Sequence, residues 1–262
     1  MRLLVPVVLA AAVAACGAEG APTPDGEPTA ALAAPEEATA PVAGALDPRA
    51  TARVEERAIG NAEAELVPFQ LDAWSDNWFA AYLGEELLVE ASVPITTERS
   101  FNAETVRFEA RYPLHLRFVL KDFIENDTGL EYIGSGRQQM GDGGFVMQLT
   151  DRRTGEVVAD SDADLACTVI HEAPLDKACE DEADPVAGTA PCEFVDRGEP
   201  EGWKAIDFDD GAWTSATVHS VASVAPKGGY DEISWDDSAE LVWGPDLETD
   251  NTMLCRRTVL EP

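Results

Sequence analysis

The side chains of this 262-residue chain that could do chemistry are three histidines, five cysteines, a serine between glycines and 50 carboxylates. His115, His171 and His219 stand far apart, none beside a cysteine and none in an H-x-x-x-H spacing, so neither a zinc triad nor a Cys-His pair is visible. Gly134-Ser135-Gly136 lacks the flanking glycine of a nucleophile elbow. Carboxylates are so abundant that an acid-base dyad could be drawn almost anywhere, and no glycosidase pair is assigned. A noncatalytic role is expected.

Oxygen-rich runs and aromatic turns are the remaining candidates. Asp160, Asp162 and Asp164 alternate as a calcium loop opens, but Leu165 stands where such a loop needs glycine and His171 where it needs its closing bidentate acid. An EF-hand is therefore rejected. Asp246, Glu248, Asp250 and Asn251 form a second oxygen-rich loop, so one structural Ca²⁺ is the candidate ion, with solvated surface charge as its alternative. Trp74, Tyr230, Trp235 and Trp243 lie in or near expected turns. Indoles stack on the C–H faces of sugar rings while carboxylates accept sugar hydroxyls, which makes Tyr230-Asp231 and Trp235-Asp236-Asp237 the candidate ligand loop. The ordinary alternative is that these rings cap a core. Met140, Met147 and Met253 are scattered and read as core fillers rather than a copper site.

Setting 18 basic residues against 50 acidic ones leaves a net charge of −32, which excludes nucleic acid as a partner. The five cysteines are Cys16, Cys167, Cys179, Cys192 and Cys255, with no C-x-x-C pair among them. Zinc is disfavoured, and two disulfides among the last four are expected. Met1-Arg2 followed by the apolar run from Leu3 to Ala15 reads as a signal peptide, too short for a mature membrane span. Its end, Val13-Ala14-Ala15-Cys16-Gly17, resembles the lipobox of bacterial lipoproteins. That resemblance implies cleavage before Cys16, a diacylglyceryl group on its sulfur and an acylated new N-terminus, with the membrane as partner. Several acyl chains make a stable anchor, since each buried CH₂ contributes about 0.8 kcal/mol. The absence of Asp after Cys16 resembles an outer-membrane sorting signal. The alternative is plain secretory cleavage after Ala12-Val13-Ala14.

The elements that must position these residues follow in order. Residues 16–65 are rich in Ala, Pro, Glu and Thr and too poor in apolar side chains to offset chain entropy, so a disordered tether is expected. Pro48 to Glu65 carries helix-forming residues, but Val54, Ile59 and Leu66 make only a thin stripe. From Leu66 to Pro262 short alternating segments point to a single β-domain. Trp78–Leu83, Gly84-Glu85 and Glu86–Val89 read as a hairpin, as do Phe145–Thr150 and Glu156–Ala159 around Thr154-Gly155. Val106, Phe108 and Ala110, then Leu114, Leu116, Phe118 and Leu120, mark half-buried strands whose other face carries His115, Arg117, Val119 and Lys121. Leu165–Ile170, Ser215–Val221, Glu240–Trp243 and Thr252–Leu260 bring the count near ten, which argues a β-sandwich. Two long loops interrupt it, Lys121–Gly144 and Glu172–Gly202. Of the three pairings open to four cysteines, Cys179 with Cys192 inside the second loop and Cys167 with Cys255 is preferred.

Tyr82-Leu83-Gly84-Glu85, Thr150-Asp151, Asp162-Ala163-Asp164-Leu165, Gly202-Trp203 and Phe208-Asp209-Asp210-Gly211-Ala212-Trp213 occur in an order similar to the galactose-binding-like jelly-roll domains found beside glycoside hydrolases. Leu83 stands where those domains have Asn, and Leu165 where they have Trp. The resemblance implies an all-β jelly-roll sandwich, a binding or supporting module, and often one structural calcium. The expectation is a lipid-anchored protein of the bacterial cell envelope with a noncatalytic binding module, for carbohydrate. Its alternative is a calcium-stabilised envelope component that contacts protein and no sugar.

Overall fold

The computed structural model describes residues 65–262. The signal peptide expected over residues 1–15, Cys16 and nearly all of the tether lie outside the described residues. Among the described residues, no helix is long and apolar enough to cross a membrane.

The chain runs through β1 (Val67–Asp76), β2 (Trp78–Leu83), β3 (Glu86–Glu90), β4 (Asn102–Ala110) and β5 (Leu114–Lys121), then a two-stranded finger, β6 (Leu130–Glu131) and β7 (Gln139–Met140). β8 (Gly144–Asp151), β9 (Glu156–Asp160) and β10 (Ala166–Glu172) follow. Beyond the long loop come β11 (Val195–Asp196), β12 (Thr214–Ser215), β13 (Thr217–His219), the one-turn helix α1 (Val221–Val224), β14 (Leu241–Trp243) and β15 (Asp250–Val259). One sheet has the order β13-β14-β8-β1-β4 with β9 on β8, and the other β11-β10-β15-β5-β2-β3 with β12 on β10. Their pairings are antiparallel. The chain thus folds as an all-β sandwich.

Alternation drives the assembly. Phe69, Leu71 and Ala73 of β1, Phe79 of β2, Leu116, Phe118 and Leu120 of β5 and Phe145, Met147 and Leu149 of β8 are all fully buried in one core. Phe145 bridges the sheets, with ring centroids 5.9 Å from Phe79 and 5.3 Å from Phe118. Gly84 (φ 59°) and Gly155 (φ 81°) turn the two expected hairpins with the positive φ that glycine adopts at little cost. β1 is a strand beyond those expected from sequence. Its Val67, Phe69, Leu71 and Ala73 face the core, and on the other face Asp72 accepts hydrogen bonds from Gln70, Thr105 and Gln148, so its burial is satisfied.

The expectation that β5 is half-buried is corrected. Arg117 and Val119 are 1% and 4% exposed, because residues 197–213 fold across the outer face of their sheet. Trp203, 3% exposed, packs there on Ala80, Val119, Ile170 and Leu254, flanked by Tyr82, Phe208 and Trp213. The Trp203 and Trp213 rings lie 6.2 Å apart at 36°. This stretch is a roof over a sheet, not an open aromatic platform.

The four cysteines of the domain form two disulfides, Cys167–Cys255 and Cys179–Cys192. The first joins directly opposed residues of β10 and β15 beside the main core. The second staples the long loop and buries its sulfurs against Leu130, with Ile133 and Met140 packed alongside.

Candidate functional site

The most unusual chemistry lies where β1 and β5 end. Asp76 closes β1 and Asp122 follows β5; Glu131 sits on β6 and Asp142 just after β7. Four distant segments thus bring carboxylates to one place, and Asp76, Asp122 and Glu131 are 0%, 4% and 2% exposed. Asn77 ties the strand ends together. Its backbone N–H donates to the Lys121 carbonyl at 3.0 Å, its Nδ2 to Asp76 Oδ1 at 2.7 Å, and its Oδ1 accepts the Phe123 N–H at 2.6 Å. Asp122 Oδ1 also accepts from Phe123 N–H, at 2.7 Å, while Asp122 Oδ2 has no hydrogen-bond partner. Gly141 lies so close that a Cβ there would stand 1.8 Å from that oxygen.

One ammonium group serves this region. Lys227 Nζ donates to Asp142 Oδ2 at 2.8 Å and lies 3.7 Å from Asp76 Oδ2. A single cation cannot balance every carboxylate, so burial decides the protonation state. Burial first, then the Asp142 charge, pushes Asp76 up to about 8 against the pull of Lys227. Burial and neighbouring acids raise Asp122 well above the carboxylate range. Glu131 is pushed up to about 7 by burial, opposed by the Gln139 Nε2 hydrogen bond and reinforced by the charges of Asp142 and Glu98. Chemically, Asp76 keeps its proton at neutral pH, and Glu131 gives its own up there. A cavity of about 600 Å³, lined by Asp142, His219, Asp246 and Glu248 among others, extends from it.

The residues chosen from sequence for metal binding have other occupations. Asp160 is bonded to Ser238, and Arg257 grips Asp162. Asp164 donates its N–H to Asp162 at 2.7 Å. Lys177 Nζ sits between Asp246 and Glu248 at 2.8 and 2.6 Å. Asp250 Oδ2 accepts the Asp246 N–H at 2.9 Å. Lys177, Arg257, Ser238 and backbone amides thus engage oxygens in both runs. Among the described residues, no group of three or more His, Cys, Asp or Glu side chains is arranged to hold a metal ion.

The aromatic choices divide. Trp74 and Trp243 are fully buried, and their indole N–H groups donate to the Gly228 and Asp250 carbonyls at 3.0 and 2.7 Å. They are core side chains, which corrects their assignment to a ligand surface. Tyr230 and Trp235 are half-buried with centroids 5.8 Å apart, Tyr230 meets Trp74 edge-on, and Trp235 Nε1 donates to the Tyr230 carbonyl at 3.1 Å. They cap a small third cluster built on Trp74, Val146, Val224 and Leu241. Asp231 is exposed beside them, and Asp236 is exposed with its carboxylate held by Ser238.

Asp76, Asp122, Glu131 and Asp142 carry no mark in the sequence. Each is one acid among 50, and only burial sets Asp76, Asp122 and Glu131 apart. The fold and its staples define a class, the disulfide-bonded antiparallel β-sandwich. Set against protein families, curated proteins and solved structures, the chain matches none of them.

Proposed function

We propose that this chain is a lipid-anchored lipoprotein of the bacterial cell envelope, sorted to the outer membrane. Its lipid is carried by Cys16, its tether is residues 16–65, and its sandwich is a galactose-binding-like jelly roll acting as a noncatalytic binding module. One observation carries the reading. All four cysteines of the folded domain are consumed pairwise, which leaves Cys16, the lipobox residue, as the odd thiol. Disulfides of this kind belong to oxidising compartments outside the cytosol, in keeping with export. The full chain expressed in a Gram-negative host should incorporate a labelled fatty acid and partition into detergent. Cys16→Ala should lose both properties, and a wild-type chain that stays unlabelled and aqueous would sink the proposal.

Of the two binding roles, the sugar role loses Trp74 and Trp243, which are buried, and the protein-contact role needs neither. The sugar reading rests on the half-exposed Tyr230 and Trp235 with Asp231 and Asp236 beside them. A glycan array, with melting followed with and without EDTA, separates the roles: a reproducible signal lost in Trp235→Ala selects the sugar, and a blank array alongside a calcium-dependent melting shift selects the calcium-stabilised envelope component that contacts protein.

A further inference from the structure

Register places Tyr82 on β2, Arg117 on β5, Arg256 on β15 and Ala166 on β10 in one row across the seven-stranded sheet. Two arginines directly opposed repel each other, and residues 197–213 then shut them away from water. Arg256 is provided for in part. Its Nη1 donates to the Trp203 carbonyl and its Nη2 to the Ala205 carbonyl at 3.2 Å, and its Nε, without a well-formed hydrogen bond, lies in an ion pair 2.8 Å from Asp210 Oδ2. Arg117 is not. Its Nη1 donates to the Leu116 carbonyl at 2.8 Å, while its Nε and Nη2, in a residue 1% exposed, have no partner.

An unpaired buried guanidinium is costly. In a chain with a net charge of −32, acids to pair with it are plentiful, so the open donors point to a place kept for something else. A cavity of about 370 Å³ opens on Arg256, lined also by Arg257, Thr258, Asp164, Ala166 and Asp210; Arg117, directly opposite Arg256 in the row, is not in its lining. That volume is in the range of small-ligand sites. Asp210 comes from a loop and is 40% exposed, so its carboxylate can leave without disturbing a strand.

We propose that Arg117 and Arg256 form an anion seat for a small soluble ligand bearing an oxyanion, with Asp210 as the internal carboxylate that the ligand displaces. The fork of a guanidinium presents parallel N–H groups that match two oxygens of a carboxylate or a phosphate. Lys204, whose Nζ lies 4.1 Å from the Tyr82 ring centroid and 5.0 Å from that of Trp203, adds positive charge to the same roof.

The test is calorimetric titration of the full chain in detergent with sodium phosphate and, separately, sodium glucuronate, at constant ionic strength with chloride as the control. Saturable binding of at least one anion is expected, and which one binds identifies the ligand's group. Asp210→Asn removes the internal competitor and should tighten binding, and Arg117→Lys keeps the charge but loses the fork and should weaken it. Each change should be about tenfold, the scale of one charge-assisted hydrogen bond. Arg117→Leu should abolish binding, and because both other variants keep a polar or charged group in place, the result stands even if this one fails to fold. The proposal is overturned if neither anion binds wild type or Asp210→Asn, or if Arg117→Lys binds as wild type does.

Discussion

Arg117 within β5 and Asp122 just beyond its end are both buried by the same fold, yet their surroundings meet that burial in opposite ways. Around Asp122 the acids take up protons. A carboxyl relieves desolvation by becoming neutral, and burial holds Asp76 and Glu131 at about 8 and 7. Around Arg117 that escape is closed. Burial, then the Arg256 charge, pushes its guanidinium down only to about 10, so it stays charged and must find partners. Arg256 takes two carbonyls and an ion pair with Asp210, with only its Nε lacking a hydrogen bond, while Arg117 is left with both Nε and Nη2 open. Buried acids can therefore make a region responsive to pH, and buried arginines make one responsive to anions.

The largest test of this contrast is stability against pH. Asp76 and Glu131 have folded-state values above their ordinary 3.8 and 4.5, so the folded chain keeps protons that the unfolded chain releases. Their contribution is complete below about pH 4 and is lost as pH rises to about 8, a fall on the order of 5 kcal/mol. Denaturant midpoints should decline from pH 5 to pH 9, and Asp122→Asn and Asp76→Asn should each flatten the decline. General repulsion among the acids acts in wild type and variants alike, so an unchanged slope in both variants would break the contrast. The arginine side should be nearly flat over the same interval. There the sign of a substitution is informative instead. Arg256→Leu strands the Trp203 and Ala205 carbonyls and Asp210, and should cost about 2–4 kcal/mol in urea unfolding. Arg117→Leu removes an unpaired charge and should be neutral or stabilising by about 1–2 kcal/mol. Equal losses in the two would show that Arg117 has partners after all. Gly141→Ala, which forces a methyl against Asp122 Oδ2, should cost about 1–3 kcal/mol.

How these regions could be read from sequence differs for a physical reason. Period-two alternation marks β4, β5 and β8, and Gly84 and Gly155 mark the hairpins, because these signals are local. β1 alternates as well, Val67, Phe69, Leu71 and Ala73 against Gln70 and Asp72, but Asp72 is buried on its other face by cross-strand hydrogen bonds that alternation does not register. The roof over Arg117 is legible only as two tryptophans around an acidic turn. That it lies on β5, rather than facing solvent, depends on contacts between residues far apart in sequence. The tryptophans chosen as ligand contacts show the same limit: Trp74 and Trp243 sit near strand ends, but Gly228 and Asp250 carbonyls claim their N–H groups. The acid cluster is the least legible feature, since Asp76, Asp122, Glu131 and Asp142 converge from separate segments and match in type the many acids left in water.

The smallest effect is also the sharpest, because it should change with pH. Lys227 is half-exposed and touches both Asp142 and Asp76. At pH 5 Asp76 is protonated, and Lys227 serves Asp142 alone, an exposed pair whose loss costs at most about 1 kcal/mol. At pH 8.5 Asp76 has begun to ionise, and without Lys227 its buried charge would stand among other acids with no cation beside it. Lys227→Met should therefore melt close to wild type at pH 5 and clearly below it at pH 8.5, with the Asp76 transition moved above 8. A deficit that is larger at pH 5 would mean that Lys227 acts through packing against Phe101, whose ring centroid lies 4.8 Å from its Nζ, and not through the carboxyls. The arginine side supplies the control: Asp210→Asn removes the acid paired with Arg256, and its effect should be the same at both pH values, because a guanidinium stays charged across that interval.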